Sequence, residues 1–203
     1  MDGLSYWVGM AAVAVTATTG VLEAGRKPID LFGMVLVALT AALGGGTVRD
    51  LLLDRLVFWI ADQAYLLDAL CAGVAPFAVA PVVRLPADLF LIPDPIGLGL
   101  FTVIGTGIAL DAGVAWFPAA LLGVVTGVLG GVLRDMLCNE VPLVFEGELY
   151  GTAAWAGALA FVGMLAAGVA AAPAGLLAMA AIIAIRLAAL RWRITLPRFV
   201  ARR

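Results

Sequence analysis

The stretch "LGGGTVRDLLLD", Leu43 to Asp54, places three consecutive glycines, an arginine and an aspartate inside one of the most apolar parts of the chain. Glycine weakens a helix interior, and an ionised side chain in hydrocarbon is costly. The surrounding sequence makes hydrocarbon the relevant solvent. The chain has 203 residues, of which 64% are hydrophobic and 13% charged, with a mean hydropathy of +1.12. That balance lies far from a soluble globular domain. Apolar runs near the roughly 20 residues that a membrane helix needs fall at 4–25, 30–53, 65–83, 95–111, 116–138, 149–170 and 174–195. The expected fold is therefore an all-α membrane protein with seven transmembrane helices.

Loops of a few residues and one short basic tail leave no soluble domain, so the function is expected within the membrane bundle. The N-terminus "MDGLSYWVGM" is acidic and runs straight into the first apolar stretch, which reads as a retained helix and not a cleaved signal. With the N-terminus outside, the inner loops and tail hold Arg26, Lys27, Arg84, Arg191, Arg193, Arg198, Arg202 and Arg203, and the outer side holds Arg55. The positive-inside bias thus predicts an outside N-terminus and a cytoplasmic C-terminus. Cys71 and Cys138 fall inside predicted spans without metal-ligand spacing and read as packing residues.

A shift of 85 residues lays "GGTVRDLLL" (45–53) over "GGVLRDMLC" (130–138), Arg49 on Arg134, Asp50 on Asp135, and Tyr65 on Tyr150. Upstream, "EAG" (23–25) resembles "DAG" (111–113), and each triplet precedes a proline, Pro28 or Pro118, placed to open the next helix. Four coincidences in one order indicate a duplication. A unit of three spans must cross the membrane oppositely in its second copy, so the expected architecture is two inverted three-helix repeats plus a seventh helix. The boundaries fall at 1–90 for the first repeat, 91–172 for the second, and 173–203 for the seventh helix and basic tail.

Inverted repeats place their pathway at the repeat interface and build it from helices interrupted by Gly or Pro. Gly44, Gly45 and Gly46 in the second span and Gly130 and Gly131 in the fifth fit that role by bending their helices and releasing carbonyls. The alternative is close helix packing, which suits the Gly-x-x-x-Gly spacings at 123–127 and 127–131. For Arg49, Asp50, Arg134 and Asp135, adjacency puts each pair about 100° apart on its helix. The expectation is pairing across the repeats, Arg49 with Asp135 and Arg134 with Asp50, against an alternative in which the charges snorkel from helix ends. Thr16, Thr19, Thr102 and Thr106 offer hydroxyl oxygens to a permeating cation, or bond to carbonyls one turn earlier. Glu23 and Asp111 stand at span ends as pore-mouth carboxylates or as caps; Glu140, Glu146 and Glu148 read as a solvated loop face. Basic residues such as Lys27 and Arg84 suit anionic lipid headgroups, although orientation alone accounts for them.

The chain lacks histidine, and Ser5 is its one serine. A Ser/His hydrolase and a histidine-ligated metal site are therefore not expected, nor is a cofactor. Asp50 and Asp135 as an intramembrane aspartyl pair are disfavoured because each follows an arginine that holds it ionised. No nucleotide fingerprint or basic nucleic-acid patch is present.

The segments "DLFGMVLVALTAALGGGTVRDLLL" (30–53), "GVVTGVLGGVLRDMLCNEVPLVF" (123–145) and "ELYGTAAWAGAL" (148–159) resemble prokaryotic members of the trimeric intracellular cation channel family, grouped with bacterial proteins carrying paired "glycine transporter" domains. The resemblance implies a seven-helix protomer of two inverted repeats in a homotrimer, each protomer with its own cation-permeable pore, shaped by bends at Gly44–Gly46 and Gly130–Gly131. It further implies a bacterial inner-membrane location. Animal members of that family bind an anionic phosphoinositide through basic residues near the second motif, a position held here by Arg134. Two functions then compete: a passive channel for K+ or Na+, and a secondary transporter of a small solute such as glycine. A non-conducting scaffold is a third.

Overall fold

The computed structural model describes residues 3–79, 89–146 and 149–197. The expectations placed on Arg84, Glu148, Arg198, Arg202 and Arg203 lie outside these residues. The described part is helical: α1 (Gly3–Ala24), α2 (Leu31–Leu52), the single turn α3 (Phe58–Ala61), α4 (Gln63–Val79), α5 (Asp94–Asp111), α6 (Trp116–Leu137), α7 (Gly151–Ala166) and α8 (Ala171–Trp192), with 3-10 turns at Leu89–Leu91 and Leu143–Phe145. Five segments, containing α1, α2, α5, α6 and α8, are long and apolar enough to cross a membrane. The apolar α7 has 16 residues, about 24 Å at helical rise, and falls short of a full hydrocarbon thickness.

Local chemistry accounts for the helix ends. Asp30 caps α2 by accepting the Gly33 N–H at 2.8 Å. Pro118 occupies the first turn of α6, where a missing N–H leaves no helical bond unmade. Four helices stop on the same left-handed device, in which the residue after the C-cap has positive φ and the next N–H returns five residues. Gly113 and Gly168 serve α5 and α7 at φ 81° and 84°, whereas Asp54 and Asn139 serve α2 and α6 at φ 51° and 55°. At the last two, the Arg55 N–H reaches the Asp50 carbonyl and the Glu140 N–H reaches the Asp135 carbonyl, both at 2.9 Å. The duplication therefore extends into backbone geometry.

Two apolar cores divide the bundle. One gathers residues of α1, α2 and α4 with Phe101 and Cys138. The other joins α5, α6 and α7 with α8, which contributes Ala174, Ala178 and Ile182. Antiparallel crossing of α2 and α6 connects them. A Cβ placed on Gly45 would run into the Thr126 carbonyl oxygen, and one on Gly130 into the Ala41 carbonyl oxygen. Since 41 lies opposite 130 and 45 opposite 126, the helices run in opposite directions and their C-terminal ends point apart.

The three adjacent glycines do not break the helix. The α2 helix runs unbroken through Gly44, Gly45 and Gly46, and α6 through Gly130 and Gly131, so the expected release of carbonyls by local unwinding is not present. Each glycine instead accommodates a different neighbour. Leu133 Cδ1 would lie 2.6 Å from a Cβ on Gly44, and Phe58 Cε1 2.6 Å from one on Gly46, while Gly45 meets α6 backbone. Consecutive helical residues point about 100° apart, so a triple glycine opens three directions at once.

Candidate functional site

Each Arg-Asp pair closes on itself within one copy of the repeat. Arg49 donates through Nε and Nη2 to Asp50 Oδ1 at 2.9 and 2.8 Å, and Arg134 Nε donates to Asp135 Oδ1 at 2.8 Å. The other carboxylate oxygen ties down the returning chain: Asp50 Oδ2 accepts the Phe58 N–H at 2.9 Å, and Asp135 Oδ2 accepts the Leu143 N–H at 3.1 Å. The expected cross-pairing of Arg49 with Asp135 and of Arg134 with Asp50 is thus overturned. Each pair sits about six residues beyond the α2–α6 crossing on helices running opposite ways, which separates the two clusters by roughly 18 Å of helical rise. Snorkelling is not the answer either, because Arg49 and Arg134 are both buried.

The clusters are not equivalent. Arg49 pairs with the Asp50 carboxylate and packs its guanidinium 5.7 Å from the centre of the Phe58 ring. Arg134 bridges Asp135 and Asp94, the latter at 2.7 Å, and also donates to Thr19 Oγ1 at 3.3 Å. The Tyr150 hydroxyl donates to Asp94 Oδ1 at 3.5 Å, and Arg186 on α8 lies 4.7 Å from the centre of the Tyr150 ring. At the position of Asp94 the first repeat has Gly9, whose Cα instead faces the Tyr65 hydroxyl. Sequence reasoning did not single out Asp94 or Arg186. Arg186 falls inside the predicted span 174–195 and Asp94 one residue before the span 95–111, and an ionisable group at such a depth is itself a signal for attention.

The threonines pack against glycines. Thr16 abuts Gly97 between α1 and α5; Thr102 and Thr106 fit against Gly127 and Gly123 between α5 and α6; Thr126 fits back against Gly105. Thr19 and Thr106 donate to carbonyls of Thr16 and Thr102 at 2.7 and 2.8 Å, the back-bonding alternative to cation coordination. The Thr16 and Thr102 hydroxyls are buried without a protein partner among the described residues.

A cavity of about 220 Å³ opens at the C-terminal end of α6, lined by Glu23, Arg26, Phe90, Asp135, Glu140 and Glu146 among others. Carboxylates dominate its lining, with Glu23 held by Arg26, Glu140 by Lys27 and Asp135 by Arg134. Arg26 holds both oxygens of Glu23 at 3.1 and 3.0 Å, and Lys27 reaches across to Glu140 at 2.6 Å. Asp111 is exposed at the far end of α5, about 25 Å of helical rise from the end that carries Asp94. Among the described residues no group of Cys, Asp and Glu is placed to hold a metal ion.

Lys27 draws the Glu140 carboxyl below its ordinary range through hydrogen bonding and charge. A lowered folded-state pKa stabilises the protein above the unfolded value and loses that effect as pH falls through the folded one. Wild type and Glu140→Gln are therefore expected to differ slightly in detergent melting temperature at neutral pH. They should converge below the ordinary glutamate pKa of about 4.3 and in high salt. A difference that grew on acidification would contradict a stabilising Lys27–Glu140 pair.

Comparison with known proteins follows the same lines. The family described as Glycine transporter matches twice, at residues 6–81 and 91–166, in the register of the internal repeat. Inner membrane protein YadS of Escherichia coli (strain K12) is 36% identical over 97% of this chain and 96% of its own length. A membrane protein of Vibrio cholerae is 38% identical over 97% of this chain and 83% of its own length. A crystal structure of the trimeric intracellular cation channel orthologue from Rhodobacter sphaeroides superposes with a TM-score of 0.90 at 36% identity, covering 95% of this chain and all of that one. The chain belongs to the trimeric intracellular cation channel family. Another structure of that family, described with conductance through TRIC cation channels, gives a TM-score of 0.84 at 28% identity over 97% of both chains. This member of the family is thus a multi-pass membrane protein.

Proposed function

We propose that this protein is a passive, potassium-permeable monovalent cation channel of the bacterial inner membrane, not an enzyme, assembled as a homotrimer with one pore per protomer. The observation that carries the proposal is the match along the whole chain to a trimeric intracellular cation channel at 36% identity and a TM-score of 0.90. The pathway follows the α2–α6 crossing through two inverted three-helix repeats, 1–90 and 91–172, with α8 braced on the second; α4 and α7 complete seven spans. Gly44 to Gly46, Gly130 and Gly131 form the narrow crossing, and the Arg49–Asp50 and Arg134–Asp135 clusters stand at its two ends. The Thr16 and Thr102 hydroxyls, buried without a protein partner among the described residues, supply oxygens along it. Glu23 and its neighbouring carboxylates form the inner mouth, Asp111 belongs to the outer, and both raise local cation concentration. The inner end is cytoplasmic, because Arg26, Lys27, Arg191 and Arg193 gather there. Lipid serves as solvent and as counter-ion for these basic residues, and no cofactor or nucleic acid is required.

The family description favours a second function, secondary transport of glycine. Liposomes separate the two. A channel gives potassium efflux that does not saturate with the gradient and needs no co-substrate. A transporter gives saturable glycine uptake that depends on an ion gradient, and that result without potassium efflux would reject the channel.

A further inference from the structure

The acidic cavity ends on an aromatic ring. Phe90 sits on the 3-10 turn just before α5, lines the cavity, and is 6% exposed. Two guanidinium groups approach this ring: Arg26, itself a cavity residue, at 5.8 Å and Arg134, from the buried cluster, at 5.1 Å from the ring centre. Beyond Arg134 lie Thr19 and Asp94. Asp94 Oδ2 and Arg134 Nη2 there are fully buried and have no protein hydrogen-bond partner among the described residues. Buried charged atoms left without a protein partner are costly, so the Arg134–Asp94 cluster has unused donor and acceptor capacity for a polar guest such as water or a cation. The wall toward the vestibule has an apolar ring in it. The repeat does not supply an equivalent, because the position matching Phe90 in the first copy is Ser5.

We propose that the Phe90 ring is the plug between the acidic inner vestibule and the buried Arg134–Asp94–Thr19 cluster, and that cations pass when the ring leaves the gap between Arg26 and Arg134. The proposal rests on the channel reading above. An apolar ring in a polar passage acts by excluding water. Cation–π contacts to two guanidinium groups hold it in place, and such contacts are weak enough to be released. The plug then closes the second repeat's end of the pathway alone, and the two ends of the pore open by different means.

The test uses the full-length protein in liposomes, with Cys71→Ala to remove the exposed thiol and Thr19→Cys as a reporter behind the ring. The same protein without the reporter corrects for Cys138. A cationic methanethiosulfonate reagent added from the vestibule side is expected to modify Cys at position 19 slowly when Phe90 is present. With Phe90→Val, modification should be about tenfold or more faster, as removal of a hydrophobic constriction implies, and potassium efflux should rise in parallel. Phe90→Trp, which refills the gap, should label at the slow rate. Equal labelling with phenylalanine and valine overturns the plug, as does a gain seen with both valine and tryptophan, which would mean general loosening. Faster labelling with valine but no potassium efflux from any variant keeps the plug and rejects the channel.

Discussion

Gly45→Ala and Gly130→Ala are expected to be among the most damaging single-methyl changes in the protein. In each, the new Cβ meets a backbone carbonyl oxygen of the facing helix, Thr126 or Ala41. Backbone cannot swing aside as a side chain does, so α2 and α6 must move apart at their contact. Overpacking of this kind costs about 1–3 kcal/mol and occasionally more. Gly44→Ala meets the tip of Leu133, a flexible atom, and should be milder. Gly163→Ala has nothing within 4 Å and should be neutral or slightly stabilising, since alanine is the better helix former. Detergent melting followed by size-exclusion should rank Gly45 and Gly130 first, Gly44 next and Gly163 last. If Gly44 exceeded Gly45, the carbonyl contact would not be what the glycine run is for.

The second large effect is expected at Arg134. Removing its guanidinium leaves Asp94 and Asp135 facing each other across a buried site, whereas removing Arg49 strands Asp50 alone. Breaking one partner out of a buried ion pair costs about 3–5 kcal/mol, so Arg134→Met should abolish most of the folded protein, with Arg49→Met less severe. Asp94→Asn in the Arg134→Met background should recover part of the loss. A double-mutant cycle then gives the Arg134–Asp94 coupling, expected within the roughly 0.5–3 kcal/mol range of contacting residues. Additive losses would mean that the 2.7 Å contact contributes nothing of its own.

The duplicated motif was legible because its information is local. Identical residues at fixed spacing survive the shift of 85, and hydropathy alone marks where helices lie. What the sequence did not convey is which atoms meet. Adjacent Arg and Asp look badly placed for pairing at 100° apart, yet the long arginine side chain folds back across its neighbour, and the aspartate is fixed from its other oxygen by Phe58 or Leu143. Three adjacent glycines look like a hinge when only one neighbour is imagined. With Leu133, Thr126 and Phe58 approaching from different sides, they are a contact surface. The acidic vestibule was out of reach for a further reason: its carboxylates come from the end of α1, the end of α6 and the loop after it, and Glu140 and Glu146 on their own read as a loop face. Asp94, Arg186 and Phe90 carried no repeated pattern, so only the assembled bundle gives them partners.

Single-channel recording in a planar bilayer under a potassium chloride gradient tests the central claim most directly. The purified protein should give discrete current steps whose reversal potential lies close to the potassium equilibrium potential, with the vestibule variant Glu23→Gln passing less current. A reversal potential of the opposite sign, or no steps from protein that is folded and incorporated, would contradict a cation channel.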